Sequence, residues 1–170
     1  EAKSKEFIKK FAKRERIGID CSGLVYRLLD YLIFLKYKRC QINNLSQIFV
    51  GGIKKTNAKT LTSRKYCFNI DQAKDVQIGD LIRMKKGKHV AIVIKVSVNE
   101  IDYLHSSNIF TLVSGVHLGK IKIINKDRHI IFQNWLEQSK INESINLKYI
   151  DRQSGDGIFR LKIFNEKLSC

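Results

Sequence analysis

Three residues of this sequence have types and positions that suit nucleophilic catalysis: Cys21, His89 and His105. A cysteine attacks as its thiolate, and an ordinary thiol with a pKa of about 8.5 is mostly protonated at neutral pH. A neighbouring imidazole and a position at a helix N-terminus both lower that pKa. Cys21 stands where a helix is expected to begin, so we predict that it is the nucleophile. The imidazole must then come from a distant part of the chain.

The element that must position Cys21 is a helix over residues 24–37, which follow the tetrapeptide Asp20-Cys21-Ser22-Gly23. These residues are strongly apolar and have helical spacing. The backbone N–H groups of a first helical turn lack partners within the helix, so they could stabilise an oxyanion. The absence of a side chain at Gly23 leaves room for a substrate backbone.

The elements that must position the histidines are two consecutive strands. His89 begins a β-branched run, residues 90–98, which we expect to be a buried central strand, and His89 is the expected general base. His105 ends the next strand, residues 100–106, and is expected to orient His89 and to set its tautomer. A tight connection near Asn99 would place His89 directly opposite His105, about 5 Å away.

The pattern of the whole chain predicts an α+β fold, with N-terminal helices packed on a central antiparallel β-sheet. No repeat or Pro-rich linker divides the sequence, so we expect a single domain over residues 1–170. Further elements are expected at residues 3–14 (helix), 42–49 (short helix), 80–84 (strand), 120–124 (strand), 131–138 (helix) and 158–164 (strand).

The net charge of +16 should attract anionic molecules. The basic residues are scattered along the chain, however, and a generally basic surface explains them as well as an anion site does. No aromatic-interleaved basic stripe and no DNA-binding motif is present, so we expect no dedicated nucleic-acid site. No apolar run approaches the roughly 18 residues of a membrane span. The chain begins at Glu1, so a signal peptide is either absent or already removed.

The other cysteines and histidines match no metal-binding framework, and we expect no cofactor. If Cys21 is a free nucleophile, at most one disulfide can form within the chain. A Cys40–Cys67 bridge and buried free thiols are both compatible with the sequence. His117 and His129 lie in charged, turn-like surroundings and are expected at the surface. The four cysteines are Cys21, Cys40, Cys67 and Cys170.

Three blocks of the sequence resemble the motifs of the NlpC-type cysteine peptidases, a papain-like family. These blocks are DCSGLV at residues 20–25, IGDL leading to HVAIV between residues 78 and 93, and LHSS at residues 104–107. Their order and spacing match, and the resemblance covers roughly residues 15–110.

The resemblance implies a papain-like fold and a role for each matching residue. Cys21 resembles the nucleophile, His89 the general base and His105 the orienting third residue. Asp20 and Ser22 match positions that help to hold the amino end of the substrate peptide. Gly79 and Asp80 match a structural turn before the catalytic strand.

The family also implies a substrate and a location. Its members hydrolyse an amide bond of peptidoglycan stem peptides, typically between D-Glu and a diamino acid, by means of a Cys-His-His triad. We therefore expect a monomeric bacterial thiol protease that is secreted, periplasmic or associated with the cell wall. Its basic surface would contact an anionic wall polymer.

Departures from the family pattern leave two alternatives open. Ala91 stands where the family commonly has Gly, and residues 9–14 lack a Tyr that often lines the substrate cleft. The first alternative is a papain-like amidase or acyltransferase that acts on lipids or small amides. The second is a non-catalytic basic domain that binds nucleic acid or an anionic wall polymer.

Overall fold

The computed structural model describes residues 20–38, 40, 42–107, 115–137 and 149–165. The helix expected over residues 3–14 lies outside them. The α-helices are α1 (Cys21–Tyr37), α2 (Gly52–Lys55) and α3 (Ala58–Leu61). The strands are β1 (Cys67–Ile70), β2 (Leu81–Met84), β3 (His89–Val96), β4 (Glu100–Ser107), β5 (Gly115–Lys122), β6 (Asn134–Trp135) and β7 (Gly157–Leu161). Short 3-10 helices lie at Leu45–Gln47, Ala73–Asp75, Ile130–Phe132, Arg152–Ser154 and Lys162–Asn165.

The described strands form one antiparallel sheet in the order β1-β7-β2-β3-β4-β5-β6. The sheet is preceded in the chain by the helices, so the α+β class expected from the sequence is confirmed. The long strands β3 and β4 lie at its centre. In the part of the chain that the structure describes, no helix is long and apolar enough to cross a membrane.

Helix α1 forms because its sequence combines an N-cap with an apolar stripe. Asp20 is the N-cap, and its carboxylate accepts a hydrogen bond from the Gly23 N–H at 2.5 Å. Val25, Leu29 and Ile33 recur at helical spacing and are fully buried. The expected helix over residues 24–37 is confirmed, and the structure begins it three residues earlier, at Cys21.

The sheet separates two apolar clusters because successive side chains of a strand point to opposite faces. One cluster packs the α1 stripe against residues such as Leu81, Val90 and Phe159. The other covers the opposite face and includes Ile82, Ala91, Val93, Tyr103 and Trp135. The run of β-branched residues in β3 is therefore buried on both faces, as the sequence indicated.

The register between β3 and β4 differs from the direct pairing of His89 with His105. The structure pairs Val96 with Ile101 near the hairpin, but Val93 with Tyr103 farther along, and a bulge lies between Val93 and Lys95. A one-residue shift moves side chains to the other face of a sheet. The bulge is therefore what brings His89 and His105 to the same face, as diagonal neighbours within reach of each other.

The helix expected over residues 131–138 is wrong within the described residues, which form a 3-10 turn and then β6. Side-chain hydrogen bonds to the backbone compete with helix formation here. The Gln133 side chain accepts from the Ile124 N–H at 2.8 Å and donates to the Asn125 carbonyl at 2.7 Å. The Trp135 indole donates to the Ile130 carbonyl at 3.0 Å.

Several strand boundaries also differ. The strand expected at residues 120–124 is the end of β5, which begins at Gly115, and the strand expected at 158–164 ends at Leu161. The sequence analysis did not find β1 or the short helices α2 and α3. Strands of four residues, such as β1, are stabilised mainly by their neighbours, so local sequence carries little signal for them.

Asp80 has the structural role expected of it. Its buried carboxylate accepts two hydrogen bonds from Arg160, at 2.7 and 2.8 Å, and one from the Gln77 N–H at 2.8 Å. The preceding Gly79 adopts φ +92°, which favours glycine, and its N–H donates to the Val93 carbonyl. The Asp80–Arg160 pair ties the turn before β2 to β7.

Candidate active site

Cys21 is the first residue of α1, directly after the N-cap Asp20. The Asp20 carboxylate takes the Gly23 N–H and also accepts from the Ser22 hydroxyl at 3.1 Å. Among the described residues, no oxygen accepts from the N–H of Cys21 or Ser22, and both N–H groups point to the Cys21 sulfur. Donors at this position could stabilise an oxyanion that forms at the helix start.

The environment of the Cys21 thiol opposes the lowered pKa that its position at a helix start was expected to favour. Burial raises the pKa of this thiol, and the Asp20 carboxylate acts in the same direction. The backbone N–H groups of Val90, Ser22 and Cys21 itself lower it, but by less than burial raises it. The expected depression of the pKa is therefore wrong for the resting thiol, which is protonated, so a base must take its proton.

A tight turn before β3 determines where His89 lies. Lys85 and Lys86 adopt left-handed backbone conformations, with φ of 55° and 59°, which are costly for residues other than glycine. The buried carboxylate of Asp156 accepts from the Lys86 N–H at 2.7 Å and from the Gly87 N–H at 3.0 Å. Asp156 thereby holds the turn from which His89 starts.

The predicted nucleophile and the predicted base belong to adjoining parts of the molecule. Helix α1 packs against β3. The N–H of Val90, the residue that follows His89, is close enough to the Cys21 sulfur to hydrogen bond with it. The fold therefore brings the start of α1 to the start of β3, as the proposed chemistry requires.

His89 and His105 form a direct ring-to-ring hydrogen bond. His89 Nε2 lies 2.8 Å from His105 Nδ1, and both side chains are buried. Burial lowers the pKa of His89 to about 3, and the positive potentials of His105 and Lys85 add to this effect. His89 is therefore a neutral imidazole at neutral pH.

The hydrogen-bonded chain continues to Glu137, which the sequence analysis did not single out. His105 Nε2 lies 2.8 Å from Glu137 Oε1, and the Tyr103 hydroxyl donates to Glu137 Oε2 at 2.7 Å. Burial acts to raise the pKa of Glu137, but the hydrogen bonds from His105 and Tyr103 and the positive potential of His117 hold it below its usual value. Glu137 is thus an ionised carboxylate, which can only accept hydrogen bonds.

When neither imidazole carries a charge, the ionised Glu137 assigns the tautomers of both. Its carboxylate requires a proton on His105 Nε2, so His105 Nδ1 carries a lone pair and accepts from His89 Nε2. His89 Nδ1 is then left without a proton. This nitrogen is the one that can take a proton from a thiol.

Close packing supports the Tyr103 end of this chain. Gly119 is the cross-strand partner of Tyr103 on β5. A Cβ atom at Gly119 would lie 2.0 Å from the Tyr103 ring, so only glycine allows the ring to lie there. The Trp135 ring packs on the other side, with ring centroids 5.4 Å apart. Burial, followed by the charge of Glu137, raises the pKa of Tyr103 well above its usual value, which keeps its hydroxyl protonated.

Two expectations about the remaining histidines are wrong. His117 lies in β5, directly opposite His105, with ring centroids 5.7 Å apart, and it is half-buried. His129 is buried and caps a 3-10 helix, where its Nδ1 accepts from the Ile131 N–H at 3.1 Å. Both had been expected in surface turns. Three of the four histidines are thus adjacent to one another, because β3, β4 and β5 are neighbouring strands.

The cysteines divide into one disulfide-bonded and two free residues among those described. Cys40 is disulfide-bonded, whereas Cys21 and Cys67 are free, so the conceivable Cys40–Cys67 bridge does not form. Burial raises the pKa of Cys67 to about 12, and its thiol donates to the Leu61 carbonyl at 3.0 Å. Cys67 is therefore an inert core residue, in contrast to the half-buried Cys21 at the helix start.

Glu137, Tyr103 and Asp156 were not predicted as functional residues from the sequence. Glu137 lies on the segment expected to be a helix, and nothing in its spacing relates it to His105, 32 residues away. In the described ranges, no group of three His, Cys, Asp or Glu side chains is arranged to hold a metal ion.

Comparisons with known proteins found no relative. No protein-family model matches the sequence, and neither a curated protein nor a solved structure matches the chain.

Proposed function

We propose that this chain is a papain-like cysteine hydrolase of the NlpC type, which cuts an amide bond in peptidoglycan stem peptides. One observation carries the proposal: the chain of hydrogen bonds from Glu137 through His105 to His89, at the start of a strand whose next residue contacts Cys21 through its backbone. A buried histidine with only a structural role needs one hydrogen-bond partner. Here the carboxylate of Glu137 and the ring of His105 instead place the proton of His89 on the nitrogen that faces His105. That arrangement is what a general base requires.

In the proposed reaction, His89 Nδ1 takes the Cys21 proton as the sulfur attacks the substrate carbonyl carbon. The tetrahedral oxyanion is held by the N–H groups of Cys21 and Ser22 at the helix start. The carbon–nitrogen bond then breaks, and His89 returns the proton to the leaving amine. The product of this half-reaction is a thioester on Cys21.

Water completes the cycle. His89 removes a proton from the water molecule that attacks the thioester, the carbon–sulfur bond breaks, and the proton passes to the Cys21 sulfur. His105 and Glu137 do not touch the substrate in this scheme. They act as positioning residues, because they hold the His89 ring and stabilise the imidazolium that forms in both half-reactions.

The fold and the sequence motifs support the papain-like assignment. A helix whose first residue is the nucleophile packs on an antiparallel sheet that supplies the base from the start of one strand. The proposed scissile bond, between D-Glu and a diamino acid, follows from the family resemblance, as does the proposed contact of Asp20 and Ser22 with the amino end of the peptide. The location at the cell wall has the same basis and stays a prediction.

Replacing the nucleophile tests the proposal. We expect Cys21→Ala to abolish cleavage of purified muropeptides, measured by mass spectrometry of the products, because no other described thiol lies at a helix start. The matched control is Cys67→Ala, which removes the inert free thiol and should retain activity at temperatures where the variant is folded. Undiminished cleavage by Cys21→Ala would refute the proposed function. Cleavage of simple amides without cleavage of muropeptides would favour the amidase or acyltransferase alternative.

A further inference from the structure

A polar cavity of about 440 Å³ lies on the same side of the sheet as α1. Its wall includes Phe159, which belongs to the apolar cluster beneath α1. It also includes Arg83, which comes two residues after Leu81 of that cluster in β2 and therefore points to the same face of the sheet. Cavities of this volume are large enough for a small ligand group.

One wall residue of the cavity lies on the strand next to the one that contacts Cys21. Arg83 is the cross-strand partner of Val90, and the Val90 N–H contacts the Cys21 sulfur. Neighbouring strands are about 4.8 Å apart, so only one strand spacing separates the cavity wall from the backbone that touches Cys21. A substrate acylated at Cys21 could therefore extend into the cavity.

The cavity contains cations that the protein does not neutralise. Lys59, Arg64 and Arg152 all line it, and no carboxylate of the described residues pairs with any of them. The carboxylate of Asp156 also lines it, but this group is occupied by Arg83 and by three backbone N–H groups. Asp71 is the remaining acidic residue in the lining, so positive charge is in excess.

A neutral hydrogen-bond donor accompanies these cations. His129 is 9% exposed and lines the cavity. Its Nδ1 accepts from the Ile131 N–H, so the ring proton is on Nε2. No acceptor among the described residues takes that proton, so this donor can be offered to a ligand oxygen.

We propose that this cavity is an anion subsite that binds a carboxylate of the peptide cut at Cys21. The inference rests on the proposed function, because stem peptides of the kind named above carry free carboxylates beside the scissile amide. Guanidinium groups bind carboxylates through paired N–H donors, and the neutral His129 ring supplies a further donor. The subsite would select peptides that bear a free carboxylate over those in which it is amidated.

The test uses the full chain with Cys21→Ala, so that binding is measured without cleavage. The probe is L-Ala-γ-D-Glu-diaminopimelate, titrated by calorimetry and compared with forms in which each carboxylate is amidated singly. We expect amidation of one carboxylate to weaken binding at least about tenfold. Arg64→Gln with Arg152→Gln should weaken binding of the free acid to a similar extent and remove the preference for it. The matched control is Lys54→Gln with Lys122→Gln, which removes two exposed charges elsewhere and should leave affinity unchanged.

Three outcomes would overturn the inference: no binding of the tripeptide, equal affinity for all amidated forms, or an equal effect of the two double variants. Inorganic phosphate is titrated in parallel. Phosphate binding could depend on Arg64 and Arg152 while the affinity for the peptide does not change when its carboxylates are amidated. That result would also contradict the proposal that the cavity binds a carboxylate of the substrate. Cleavage of muropeptides by the wild-type chain would still support the hydrolase in each case, so the failures of the two proposals are distinguishable.

Discussion

At the scale of the residue, the ionised Glu137 determines which nitrogen of His89 is basic. A carboxylate accepts hydrogen bonds and donates none, so it orders the protons along both imidazoles. An amide in its place can donate as well as accept, so either tautomer of His105 becomes possible. In the reversed tautomer His89 Nδ1 carries a proton and cannot act as the base.

We therefore expect Glu137→Gln to lower kcat about 10- to 100-fold, the range typical of residues that orient a functional histidine from behind. The KM for a muropeptide should change little, because Glu137 does not contact substrate in the proposed scheme. Steady-state kinetics check this expectation. Glu100→Gln is the control and should leave kcat unchanged, because it removes a carboxylate that lies on β4, the strand of His105, and pairs with Lys120. A rise in KM at constant kcat would contradict the positioning role.

The depressed pKa of His89 also makes stability depend on pH. The pKa is about 3 in the folded state and 6.5 without perturbation, so between these values only the unfolded state binds the proton. The stabilisation is present above pH 6.5 and is lost as pH falls toward 3, by about 3 kcal/mol on reaching pH 4.

Urea unfolding of the wild type and of His89→Gln at pH 7 and pH 4 tests this linkage. The wild type should lose about 3 kcal/mol more unfolding free energy than the variant, which has no imidazole at this position to titrate. Between pH 7 and 8 the two should change in parallel. Equal losses on acidification would mean that His89 is not held neutral by burial.

At the scale of the element, one bulge in β3 decides whether the two histidines can meet. The pairing near the hairpin, if continued, would place His89 and His105 on opposite faces of the sheet. The extra residue between Val93 and Lys95 shifts the strand pairing by one position, so both histidines lie on the same face of the sheet. The tight turn held by Asp156 then fixes where His89 begins.

The turn before β2 should depend strongly on the Asp80–Arg160 pair. Both side chains are buried, and removal of one partner leaves an uncompensated charge inside the protein. We expect Asp80→Ala to lower the free energy of unfolding by about 3–5 kcal/mol. Asp127→Ala breaks the exposed ion pair with Lys74 and should cost no more than about 1 kcal/mol. Chemical denaturation measures both, and similar losses in the two variants would contradict the assignment of Asp80 as a structural anchor.

At the scale of the whole molecule, the +16 charge has two possible explanations, a generally basic surface and a dedicated polyanion site. The distribution of the basic residues distinguishes them. Exposed lysines and arginines occur on helices, strands and turns throughout the described residues, so few can contact one rigid polyanion together. Each phosphate contact contributes about −0.9 to the slope of log K against log salt for duplex DNA.

We expect duplex DNA to bind weakly, with a slope shallower than about −4 between 0.05 and 0.5 M NaCl, as measured by fluorescence anisotropy. A scrambled duplex of equal length is the control and should bind equally. Tight binding with a slope of about −6 or steeper would favour the basic binding domain over a surface whose charge is incidental.

Some parts of this protein depend on local pattern and could be predicted from consecutive residues. The apolar period of α1 and the β-branched run of β3 are two such patterns, and the structure contains both. Cys21 and His89 could be selected because they stand at the starts of such elements. The α+β class follows from the order of the same elements.

The other features could be seen only in the folded chain, because they depend on contacts between residues far apart in the sequence. A bulge, a buried carboxylate such as Glu137 and the pKa of Cys21 have no local signature. The free energies that decide them come from strand pairing, burial and hydrogen bonds formed across the sheet. Local pattern could name a nucleophile and a base, but only the packed sheet shows which carboxylate orients them.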